Sequence, residues 1–211
     1  FNLRKWLTND SELQSKINFY EETYFKEEIQ KNQASETKVL GVQWDLTTDE
    51  LVFSLRPVIL EALSFSGDIT KRYVLKIIAS IFDPLGVLSP AVVSLKLLFQ
   101  ETCALKIDWD SPLPEYIVNK WNKILKGLER LQPIRVPRYY FGNKEVAEVE
   151  LHGFCDASVK AYAAVVYLRT INSDGTKFVN LVASKTKIAP LSETTIPRLE
   201  LLSCLILSRL I

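Results

Sequence analysis

Two carboxylates in this chain stand where a metal-handling site could be built. Asp156 closes the run Leu151-His-Gly-Phe-Cys-Asp-Ala-Ser158, and Glu200 closes Ile196-Pro-Arg-Leu-Glu200. Between them, Ala163-Ala-Val-Val-Tyr-Leu168 and Phe178-Val-Asn-Leu-Val-Ala183 read as buried strands, bounded by the turn formers Asn172-Ser-Asp-Gly175 and by Lys185-Thr-Lys187. A helix is expected from about Thr195, because Pro197 suits a first helical turn, and Glu200 then falls one turn further in. Strand, strand, strand, helix, with one acid on the first element and another on the last, is a metal-site layout. Other reactive side chains are few. The three cysteines, Cys103, Cys155 and Cys204, have no CxxC spacing, and with His152 as the single histidine they support a zinc site poorly. Cys155 neighbours Asp156 on a strand, so it points to the opposite face and is expected to be a small buried thiol. His152 shares the Asp156 face, and a structural role is the favoured reading.

These residues need a scaffold, and the composition supplies one. With 211 residues, 47% hydrophobic and 24% charged, the chain can bury one large core or two small ones and is expected to be a soluble globular segment. No apolar stretch approaches the roughly 20 residues needed to span a bilayer. The thiol pattern fits a reduced, intracellular setting. Phe1-Asn-Leu-Arg-Lys-Trp6 is neither a start nor a signal sequence, and Ser203 to Ile211 reads as an unfinished helix, so the chain is expected to be part of a longer reading frame. A formal net charge of +1 offers no global argument for nucleic acid binding. Local basic clusters must carry any such role: Arg4 and Lys5; Lys71, Arg72 and Lys76; Arg135 and Arg138; Lys185, Lys187 and Arg198.

The pattern predicts an α+β chain. Asn9-Asp10-Ser11 can cap a helix running to about Lys31, and strands are expected over Lys38 to Asp45 and Leu51 to Leu55. From Asp68 to Leu131 the chain reads helical. Val74, Ile77, Ile78, Ile81 and Phe82 form a stripe that Asp83-Pro-Leu-Gly86 ends, and Ser89-Pro90 reads as a cap and first turn. A third helix follows Pro114, with Ile117, Trp121, Ile124, Leu125, Leu128 and Leu131 on one face. Pro133 to Pro137 reads as a linker. The helical module is therefore expected to stand apart from the sheet that carries Asp156.

Several of these motifs together resemble a known family. Phe154-Cys-Asp-Ala-Ser158, Ala183-Ser-Lys-Thr186 and Arg198-Leu-Glu-Leu-Leu202 resemble the start of a retrotransposon ribonuclease H domain. Phe1-Asn-Leu-Arg-Lys-Trp6, Val39-Leu-Gly-Val-Gln-Trp44, Phe82-Asp-Pro-Leu-Gly86 and Ile196-Pro-Arg-Leu-Glu200 narrow this to the Pol polyprotein of the BEL/Pao class, in the segment labelled the Pao retrotransposon peptidase family. The resemblance implies a helix and β-hairpin from the end of a reverse transcriptase palm over 1–57. A helical thumb or connection-like module follows over 58–137, and then the first half of a ribonuclease H-like mixed sheet with a helix over 138–211.

The same resemblance implies a chemistry. Asp156 would bridge two Mg²⁺ ions and Glu200 would bind from the helix, with half of the ligands present. Lys5, Ser158, Lys185, Lys187 and Arg198 would contact nucleic acid, Ser158 approaching the RNA strand. The expected partners are RNA–DNA hybrid or primer–template and the remainder of the Pol polyprotein, with no membrane. The expected location is cytoplasmic, in a virus-like particle, with a nuclear phase. Two other readings stand beside this one. The chain could be a non-catalytic nucleic-acid-binding module or a relic, and the family label suggests an aspartic peptidase, although no Asp-Thr-Gly or Asp-Ser-Gly turn occurs. The adjacent aspartates of a polymerase site are also absent.

Overall fold

The structure, a computed structural model, describes residues 6–24, 37–39, 41–141 and 145–211. The chain divides into two units, Phe1–Val52 with Arg135–Tyr139, and Phe53–Ile134 with Tyr140–Ile211. The fold class is α+β, as the pattern predicts.

The first unit holds α1 (Ser11–Tyr24) and a four-stranded sheet in the order β1 (Thr37–Val39), β2 (Val42–Asp45), β3 (Glu50–Phe53), β4 (Ile134–Pro137). Asp10 caps α1 by accepting from the Leu13 amide at 2.9 Å. The helix expected to reach Lys31 is described to Tyr24, and the rest lies outside the described residues. The single strand expected over Lys38 to Asp45 is instead a hairpin, Val39 pairing with Val42 around Gly41, whose φ of 86° only glycine adopts readily. The expected linker at Pro133 to Pro137 is also corrected, since most of it is β4. Arg135 on β4 donates to Asp45 at 2.9 Å and Glu50 at 3.1 Å, and Arg138 grips Asp49 with two hydrogen bonds while lying over the Trp44 ring. The Trp44 indole also donates to Asp49. Arginine forks matched to hairpin carboxylates hold a strand that sequence distance separates from its neighbours.

The second unit joins helices to a second sheet. α2 (Arg56–Ser64) lies outside the region expected to be helical; only Ile59 and Ala62 of its side chains are buried, too few to show a period. α3 (Lys71–Ser80) begins at Thr70, whose hydroxyl accepts from the Tyr73 amide. α4 (Ser89–Ala104) and α5 (Glu115–Leu128) follow. Ser89 does not cap α4. The N-cap residue is Leu88, whose amide donates to the carboxylate of Asp83 at 2.8 Å. Val74, Ile77, Leu95, Ile117, Trp121 and Leu125 meet in the helical core, with Trp121 and Leu125 wholly buried.

β5 (Val146–Ala157), β6 (Ala161–Asn172) and β7 (Lys177–Ile188) form an antiparallel sheet in that order, and α6 (Ile196–Leu210) packs on β5 and β6. The mixed strand direction expected of this sheet is not displayed by these three strands. Lys185-Thr-Lys187, expected to bound the strand, belongs to β7. The helices do not stand apart from this sheet. α4 packs on β7, Gln100 donates to the Ala189 carbonyl at 2.6 Å, and the Ser184 amide donates to the Leu85 carbonyl at 2.7 Å. The turn Asp83 to Gly86 thus docks on the free edge of β7, where the Ser184 hydroxyl donates to the Gly86 carbonyl.

Candidate active site

Side-chain alternation along β5 decides which groups can meet. Cys155 faces α6, its sulfur 3.5 Å from that of Cys204. Gly153 faces the same way, and a Cβ added there would come within 2.7 Å of Leu207. Their β6 partners Ala164 and Val166 are buried beneath the helix. Glu150, His152, Phe154 and Asp156 consequently lie on the opposite face, where Asp156 and Phe154 are exposed. The contacts also set the direction of α6. Residue 153 meets 207 and residue 155 meets 204, so the helix runs back along β5 and its N-terminal half approaches the end that carries Asp156.

Glu200 lies one turn before Cys204, a rise of about 6 Å. Both carboxylates therefore belong to the same end of the β5–α6 pair. They leave it from opposite sides of the sheet, whose outer edge at β5 no described strand covers. Among the described residues neither carboxylate forms an ion pair. The Asp156 side chain accepts from the Ala157 amide at 2.8 Å, and the Glu200 backbone carbonyl accepts from the Ser203 hydroxyl.

His152 is held by Glu150, their side chains 2.9 Å apart, and Arg169 of β6 pairs with the same carboxylate. Those two partners, His152 first, hold the Glu150 carboxyl below its ordinary range. The structural role favoured for His152 therefore has a named partner, and Asp156 is not it. Ser158 closes the β5–β6 turn: its hydroxyl donates to the Ala161 carbonyl and accepts from the amides of Lys160 and Ala161. That turn alone accounts for the serine.

The basic residues separate into two groups. Arg72 pairs with Asp110, Lys76 with Glu61, and Arg135 and Arg138 with the hairpin acids, while Lys71 is buried. Lys185, Lys187 and Arg198 are exposed and form no ion pair among the described residues. By register, Lys185 lies opposite Ala164 and Lys187 opposite Tyr162, which puts both on the α6 side of the sheet. Lys185 also lines a cleft of about 270 Å³ with Asp83, Ser89, Lys96, Ser184 and Thr186. Lys5 lies outside the described residues.

A family model described as the Pao retrotransposon-like RNaseH-like domain matches residues 70–211. The chain belongs to this Pao retrotransposon family. The match crosses α3, α4 and α5 as well as β5 to α6, in agreement with one unit that holds both. No curated protein matches the chain. In this Pao-class Pol segment no group of three or more His, Cys, Asp or Glu side chains converges among the described residues. Asp156 and Glu200 alone are too few for the two Mg²⁺ ions that the resemblance implies, because each ion takes several oxygen ligands. No helix among the described residues is long and apolar enough to cross a membrane.

Two features escape the sequence reading. The Cys155–Cys204 contact depends on how α6 lies on β5, and Cys155, expected to be buried, is half-buried beside an exposed partner. The docking of Gly86 on Ser184 is the other. Its signal was present in Asp83-Pro-Leu-Gly86, which reads as turn chemistry without showing what the turn meets.

Proposed function

We propose that this segment is the nuclease-like part of a Pao-class Pol polyprotein and acts on the RNA strand of RNA–DNA hybrid. Asp156 and Glu200 are its metal-binding carboxylates. The observation that carries this reading is the seating of α6 on β5, which assigns both acids to one end of the strand–helix pair. Further carboxylates must complete a Mg²⁺ site. The uncovered edge of β5 and the exposed Leu201 and Leu205 of α6 offer a surface on which elements bearing them could add. Lys185, Lys187 and Arg198 are free to contact phosphates. Residues 1–57 are assigned to the end of a reverse transcriptase palm and 58–137 to a thumb-like connection, within a cytoplasmic particle.

The test compares two proteins on a labelled RNA–DNA hybrid with Mg²⁺ or Mn²⁺. The 211-residue chain should not cleave, whereas a longer Pol chain supplying further acidic residues should. Asp156→Asn in the longer chain should lower cleavage at least a thousandfold with the melting temperature unchanged. Cleavage by that variant at the parental rate would sink the assignment.

A non-catalytic binding module is the second reading, favoured by the two-carboxylate site and by Lys185 and Lys187, which share the α6 side of the sheet and form no ion pair among the described residues. It predicts that Lys185→Glu with Lys187→Glu weakens hybrid binding and its salt dependence, while Asp156→Asn leaves binding intact and no longer chain cleaves.

A further inference from the structure

Among the described residues the fold brings one pair of thiols together. Cys155 lies on the helix-facing side of β5 and Cys204 on α6, their sulfurs 3.5 Å apart, while Cys103 sits on α4. Both thiols are free, Cys204 exposed and Cys155 half-buried, so an oxidant in solution can reach the pair. The approach has a cause in the sequence. Gly153, one rung away on the same face, has no side chain, and Leu207 occupies the space a Cβ would take. The helix consequently lies close to the strand at this level, and two small sulfur side chains fill the next rung.

We propose that Cys155 and Cys204 form a reversible disulfide, a redox-set staple between β5 and α6. Closing the sulfurs to the bonded length of about 2.05 Å requires a movement of roughly 1.5 Å, which side-chain rotation can share between the two residues. Hydrogen peroxide is a sufficient oxidant. One thiolate attacks a peroxide oxygen, giving a sulfenic acid and, after protonation of the leaving hydroxide, water. The second thiolate attacks the sulfenic sulfur, forms the S–S bond and releases hydroxide, which takes up a proton as the second water. Two thiols lose two electrons and two protons in total, and peroxide gains both.

The bond would form one residue from Asp156 and one helical turn from Glu200, pinning the helix where the two carboxylates leave the strand–helix pair. It would close a long loop between strand and helix, so the oxidised form should resist unfolding.

The test uses the 211-residue chain, treated with hydrogen peroxide, blocked with N-ethylmaleimide and digested with trypsin. Mass spectrometry should find Glu145–Lys160 joined to Leu199–Arg209, two hydrogens lighter than the separate peptides. Dithiothreitol should reverse the link. The oxidised chain should melt several degrees higher than the reduced one. Cys204→Ser should abolish both the linked peptide and the shift, while Cys103→Ser leaves both unchanged. Links to Cys103 as frequent as the Cys155–Cys204 link would overturn the proposal. So would conversion of Cys155 and Cys204 to sulfinic acids without any link. Mass and melting do not depend on hybrid cleavage, so failure here is distinguishable from failure of the nuclease reading.

Discussion

Asp83 combines two demands on one carboxylate. Its Oδ2 accepts from the Leu88 amide at the start of α4, while its Oδ1 is buried with no hydrogen-bond partner among the described residues. Burial pushes its carboxyl above the ordinary aspartate range, opposed by amides of the following turn and by the charge of Lys96. The folded state therefore holds the proton more tightly than the unfolded chain does. Between the ordinary aspartate value and the raised one, stability should fall as pH rises, and it should be regained on acidification through the same window. Asp83→Asn keeps an oxygen for the Leu88 amide and removes the buried charge. It should flatten this part of the stability profile, as measured by urea unfolding at a series of pH values. An unchanged slope would show that another group titrates there. Ser158, Arg135 and Arg138 carry a second lesson at this scale. As residue types they suit nucleic acid contacts, but each has a structural partner that composition could not reveal.

At the scale of elements, the stripe of α5 was the most legible part of the chain, whereas that expected for α3 ran past the helix end at Ser80 to the exposed Phe82. Ile117, Trp121 and Leu125 recur at helical spacing after Pro114, and α5 buries those three residues. Trp121 is wholly buried, and its indole N–H has no partner among the described residues. Trp121→Ala should cost about 3–5 kcal/mol by urea denaturation through the cavity it leaves. Trp121→Phe should cost much less, because the smaller ring also removes an unsatisfied donor. Equal losses would mean that the indole N–H finds an acceptor. The strands were less legible. β5, β6 and β7 each span 12 residues, but the expected cores were shorter, since their outer halves mix polar with apolar residues and one face is partly exposed. Proline misled at β4. Pro137 closes the strand at its last position, where a missing N–H costs little, so the proline pair did not mark a linker.

For the unit formed by Phe53–Ile134 and Tyr140–Ile211, the important result is that helices and sheet share contacts. Gly86 has a φ of 74°, and a Cβ there would overlap the Ser184 carbonyl oxygen. Gly86→Ala should therefore destabilise by about 2 kcal/mol or more, combining left-handed strain with a backbone collision. Hydrogen exchange should register the loss in β7 as well as in α3 and α4. Exchange quickened in the helices alone would mean that the docked turn does not couple them to the sheet. The sequence by itself determined the α+β class, the buried face of α5, the order of strands before α6 and the family resemblance, because those follow from local periodicity, turn chemistry and short motifs. Only the tertiary structure decided that the Asp83 to Gly86 turn docks on β7, that Arg135 and Arg138 are committed to hairpin acids, and that Cys155 meets Cys204. Each of these joins residues far apart in the chain, and which partners meet depends on register and on how closely a helix can approach a strand, quantities that no local pattern encodes.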